Sequence, residues 1–85
     1  MTPMYFHFAP RWKEEIVVSC AAGSFVLPFW MGNPTVELPS QDRWPQVAPD
    51  WARDHWESLY RALALWCAGN NAALEISERG DVYGV

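Results

Sequence analysis

The chain has 85 residues, ten Asp+Glu against six Lys+Arg, and a net charge of −4; 51 % of it is hydrophobic and 19 % charged. This is the composition of one globular domain over residues 1–85, not of a disordered chain. The acidic balance argues against nucleic-acid binding, whose footprint is a basic patch, and fits a partner that is itself basic.

Met4 to Phe8 is short and aromatic-rich and reads as a first strand ending at Ala9-Pro10. Glu14 to Cys20 carries the β-branched run Ile16-Val17-Val18, which favours a second strand. Ala21 to Ser24 is a connector, and Phe25 to Trp30 pairs back as the other arm of a hairpin. Pro28 lacks a backbone donor, so the Phe25–Trp30 run is expected at a sheet edge or at a bulge. Gly32-Asn33-Pro34 is turn chemistry, and Thr35 to Leu38 alternates as a further short strand. Pro39 to Pro49 holds three prolines and no period, and reads as a semi-rigid surface loop around Trp44.

Pro49 to Ala68 reads as one long helix. Pro49 suits the first turn and Asp50 meets the positive end of the dipole. Ala52, Trp56, Leu59, Tyr60, Leu63, Trp66 and Cys67 recur at spacings of three and four and form one apolar stripe. Gly69-Asn70 stops the helix, and Glu57 with Arg61 makes an i,i+4 pair on its polar face. Ala73 to Ser77 and Val82 to Val85 then read as a closing hairpin about Glu78–Asp81. The expected fold is α+β: a small antiparallel sheet of four or five strands packed on one long helix.

No catalytic or metal signature stands out, and neither an enzyme, a cofactor nor a metal is expected. Asp50, Asp54 and His55 do not converge, because each residue turns a helix by about 100°. His7 and His55 read as surface histidines, and Glu14-Glu15 as a solvated strand start. Cys20 and Cys67 form no C-x-x-C, sit in apolar contexts and read as reduced thiols. Met1 to Phe8 has neither a basic nor an apolar signal region, and the uncharged run from Ile16 is broken by Gly23, Pro28, Gly32 and Pro34. A cytoplasmic protein that neither enters a membrane nor binds nucleic acid is expected.

The six tryptophans, Trp12, Trp30, Trp44, Trp51, Trp56 and Trp66, are more than a domain of this size easily buries. Trp56 and Trp66 lie on the helix stripe; of Trp30, Trp44 and Trp51, at least one is expected to be accessible. Either Trp44 and Trp51 anchor a partner, or the Trp44 loop folds back over Trp51 as a satellite cluster. Glu37, Asp42, Asp50 and Asp54 surround these two tryptophans in sequence, interrupted by Arg43 and Arg53. An aromatic anchor ringed by carboxylates suits a basic protein surface, while a solvated helix start explains the same acids. The candidate partner-binding set is therefore Glu37, Asp42, Trp44, Asp50, Trp51 and Asp54.

The segment Gly23–Trp30, the loop Pro39–Pro45, the helix end Leu65-Trp66-Cys67 and the closing hairpin together resemble the small bacterial immunity proteins of polymorphic and contact-dependent inhibition toxins. These proteins share a role and not one fold, so no residue role transfers by position. The resemblance implies a cognate toxin domain as partner, often a basic nuclease, neutralised by occupation of its active site or substrate groove. The alternatives are a phage-type or other acidic inhibitor or decoy of a nucleic-acid enzyme, and a small module binding a ligand between helix and sheet. Homodimerisation through the aromatic surface is a further option.

Overall fold

The structure, a computed structural model, describes residues 5–11 and 14–84. Met4, Trp12 and Val85, on which parts of the reading above fall, lie outside the described residues.

The chain is α+β. Five strands, β1 (His7–Arg11), β2 (Glu15–Cys20), β3 (Gly23–Trp30), β4 (Thr35–Pro39) and β5 (Ala73–Ser77), make one mixed sheet in sequential order. β1 to β4 pair antiparallel, whereas β5 lies parallel to β4. A parallel neighbour requires a crossover, and residues 40–72 supply it. The crossover carries a short helix α1 (Trp44–Val47), a 3₁₀ turn (Asp50–Ala52) and the main helix α2 (Trp56–Gly69).

Three expectations are corrected. First, the long helix is only 14 residues and starts at Trp56 rather than Pro49. In a continuous helix the Ala52 carbonyl would accept from the Trp56 amide. Here it accepts the Trp44 indole N–H at 2.8 Å and the His55 amide at 3.0 Å, so the ladder breaks at this point. Second, β5 forms no hairpin with the C-terminal segment. The Arg43 side chain, from the crossover, donates to the Gly80 carbonyl at 3.2 Å and pairs with Asp81 at 3.0 Å. Gly80 also lies so close to Pro39 that a Cβ would come within 3.0 Å of its Cα. The chain is thereby turned back across the sheet, where Tyr83 bridges Val26 of β3.

Third, β3 is an interior strand despite Pro28. It pairs fully with β2 on one side, but meets β4 on the other only at Phe29 and Trp30. The Val26 amide bonds Tyr83 on that same side, so by the two-residue repeat of a strand the absent donor of Pro28 also faces β4. The β3–β4 ladder ends there and the two strands part. β1, with Pro10 inside it, is an edge strand, where proline is tolerated.

One face of the sheet carries the core. Ile16, Val18, Phe25, Leu27, Phe29, Val36 and Leu38 pack under Trp44, Ala52, Leu59, Leu63 and Cys67, all of them buried. The helix stripe forms from Trp56 onward, with Ala52 buried in the 3₁₀ turn before it and Tyr60 at its rim stacked on Trp56 at 5.2 Å. Glu57 and Arg61 pair at 2.9 Å. α2 ends at Gly69, and the left-handed residue that follows is Asn71, with φ 53°. Both cysteines are free; burial pushes the Cys67 thiol above its ordinary range, which suits a packing role.

Candidate functional site

Among the described residues, no helix lies over the face of the sheet turned away from α2. The residues of that face follow from the strand registers. Arg11 lies opposite Glu15, and Glu15 opposite Pro28. Trp30 lies opposite Thr35, Thr35 opposite Ala73, and Glu37 opposite Glu75. Arg11 and Glu15 form an ion pair.

Where β3 and β4 part beyond Pro28, this face opens into a groove. One lobe, of about 510 Å³, is lined by Glu14, Trp30, Thr35, Glu37 and Glu75 with the Gly32-Asn33 turn. An adjoining lobe of about 400 Å³ runs along Val26, Pro28 and Tyr83 and shares Glu14, Trp30 and Glu37 with the first. Trp30 is 44 % exposed and Tyr83 53 %, so both offer aromatic surface along this groove. Glu14 holds a left-handed conformation, φ 60°, at the β1–β2 turn, and its carbonyl accepts from the Phe29 amide at 3.0 Å. Burial, with the nearby charges of Glu75 and then Asp81, raises the Glu37 carboxyl above the ordinary glutamate range; the Ser77 hydroxyl partly offsets this.

The six residues named from the sequence do not form one surface. Glu37 stands in the groove, half-buried. Trp44 is 1 % exposed, bonded through its indole and set edge-on to Phe25 at 5.7 Å, so it is a core residue and its reading as an exposed anchor is corrected. Trp51 is half-buried over Gly23 and packs on Phe25 at 5.8 Å. Both tryptophans thus meet on Phe25, close to the folded-back cluster that was the other reading. Asp42, Asp50 and Asp54 are exposed on the crossover, away from the groove. Asp50 is bound by Arg53 at 2.7 Å, and Asp54 edges a separate depression of about 270 Å³ with Arg53, Trp56 and Glu57.

The remaining described tryptophans are committed to packing. Trp56 donates to the Pro39 carbonyl at 2.8 Å, and Trp66 lies between Phe8 at 6.1 Å and Phe29 at 5.9 Å. Trp30 is the described tryptophan left most exposed, which meets the expectation that at least one of three would be accessible.

Sequence reasoning passed over Glu14, Glu75 and Tyr83 as site residues. The available signal was the two-residue alternation that puts Glu37 and Glu75 on the outward side of their strands. Their adjacency depends on the parallel register, which no local pattern encodes.

Among the described residues, no three His, Cys, Asp or Glu side chains are grouped to hold a metal ion, and no helix is long and apolar enough to cross a membrane. Comparison of the chain with protein-family models, with curated proteins and with solved structures finds no match in any of the three.

Proposed function

We propose that the protein is an immunity protein: it binds a basic bacterial toxin domain in the cytoplasm and neutralises it by occupying its surface, not by catalysis. One observation carries the reading. The helix-free face of the sheet presents a groove whose walls combine exposed aromatic surface, Trp30 and Tyr83, with the carboxylates Glu14, Glu37 and Glu75. Tryptophan and tyrosine are among the residues enriched at binding hot spots, and surrounding charge steers the encounter and selects against acidic partners. The net charge of −4 adds a weak long-range attraction for a cationic domain. The groove replaces the Trp44–Trp51 surface as the proposed contact region. Asp42, Asp50 and Asp54 fall outside it.

The test is a titration of this chain with the product of the gene immediately upstream, where a cognate toxin would be encoded, with that product's toxic activity followed in parallel. A one-to-one complex with a Kd of about 10 nM or tighter, weakening as salt is raised and abolishing the toxin's activity in step with occupancy, is the expected result. Activity that persists in the saturated complex, or no complex at micromolar concentration, contradicts the proposal.

A further inference from the structure

Resting on the binding role just proposed, we infer that the groove beside Trp30 is the seat of a single cationic side chain, a Lys or Arg of the partner, with its stem against the Trp30 indole and its charge between Glu37 and Glu75.

The argument starts from the register. Glu37 and Glu75 are direct partners on adjacent parallel strands. Neighbouring strands lie about 4.8 Å apart, and paired residues point to the same face. Two like charges so placed repel. Among the described residues four other carboxylates have a cation as partner: Glu15 has Arg11, Asp81 has Arg43, Asp50 has Arg53 and Glu57 has Arg61. Glu37 and Glu75 belong to none of those four pairs. Glu37 is also partly desolvated, which together with the neighbouring Glu75 charge is why its carboxyl holds its proton more tightly than an ordinary glutamate.

A cation entering between them removes the repulsion and restores the missing partner. Trp30 supplies what the carboxylates lack. It is on the same face, one strand away, and lines the same lobe. An indole face attracts a cation through its quadrupole and covers the aliphatic stem that precedes it. The groove has this form because Pro28 ends the β3–β4 ladder, so the seat follows from one residue's missing donor.

The probe is the blocked tripeptide acetyl-Gly-Arg-Gly-amide, titrated at low salt into isotopically labelled protein, with the glutamine analogue as neutral control. Saturable NMR shifts at the Trp30 indole N–H and at the Glu37 and Glu75 amides are expected, without matching shifts at Asp50 or Asp54. The glutamine peptide should leave these signals in place. The double variant Glu37→Gln, Glu75→Gln should weaken the arginine peptide by about fivefold or more, since both charges that select it are gone. Shifts spread equally over Asp50 and Asp54, or an unchanged affinity in the folded double variant, overturn the seat. The two proposals separate cleanly against the toxin domain. Equal binding by wild type and double variant overturns the seat and leaves the immunity role standing. Peptide binding in the groove with no toxin complex supports the seat and overturns the immunity role.

Discussion

The two faces of one sheet differ more than any two other parts of this molecule. On one face Phe25, Leu27 and Phe29 are buried under the crossover and α2. On the other the same strand presents Pro28 and Trp30 to an open groove. Tryptophan marks the contrast: Trp44 is 1 % exposed and hydrogen-bonded, while Trp30 keeps 44 % of its surface accessible. The carboxylates divide in the same way, since Glu37 and Glu75 point to the open side and the core face carries no acid. The alternation of a β-strand thus delivers stability to one side and recognition chemistry to the other without any change of scaffold.

If that division is correct, Trp44→Ala should have the largest effect on stability. Removing a buried indole costs about 3–5 kcal/mol, and the Ala52 carbonyl loses a donor as well. Trp30→Ala should cost about 1–2 kcal/mol, because much of its surface is already in water. Urea denaturation of the pair reads the difference, and a larger loss from Trp30 than from Trp44 would break the comparison.

Gly23→Ala probes the rim between the faces. Its Cβ would stand 2.7 Å from the Trp51 indole nitrogen, so the ring must move off Phe25. A loss of about 1–3 kcal/mol is expected, together with a change in tryptophan fluorescence. Arg43→Ala should cost about 1 kcal/mol, since its pair with Asp81 is partly exposed. Its clearer signature is faster amide exchange at Val26 and Tyr83, whose bridge depends on the C-terminal segment being held in place.

The smallest effect has the opposite sign. Glu37 holds its proton to higher pH in the folded protein than in the unfolded chain. As pH rises through the ordinary glutamate range, the unfolded chain ionises first and stability falls; the loss is complete once pH passes the raised folded value. Glu37→Gln removes that loss. The variant should match the wild type in acid and exceed it at neutral pH, as seen in thermal melts across that range. A variant less stable at neutral pH would show that the carboxylate supports the fold and is not held there against it.

How much of this was legible in the sequence follows the range of the forces involved. β2, β3 and β4 were readable because β-branched residues, alternation and turn chemistry are local signals. The α2 stripe was readable for the same reason. The helix break was not, because it depends on an indole eight residues away reaching the Ala52 carbonyl. Nor was the parallel β5, since Arg43 of the crossover captures Gly80 and Asp81 and so denies β5 its hairpin. Pro28 reads locally as a missing donor, which places its run at an edge or a bulge. Its actual consequence, a gap inside the sheet, needed the register of both neighbours. Of the site, the sequence offers Glu37 as an acid beside the tryptophans and Trp30 as one of three with accessible surface. Glu75 becomes the neighbour of Glu37 only through a pairing set by the crossover.

The central claim is that the helix-free face, and not the crossover, meets the partner. The most direct test compares two sets of substitutions in binding to the toxin domain proposed above: Trp30→Ala, Glu37→Gln and Glu75→Gln in the groove, against Asp42→Asn, Asp50→Asn and Asp54→Asn on the crossover. The groove set should weaken the complex by about 2 kcal/mol or more, roughly thirtyfold, while the crossover set stays within about twofold of wild type. The reverse order would contradict the account and return the contact surface to the carboxylates at the crossover.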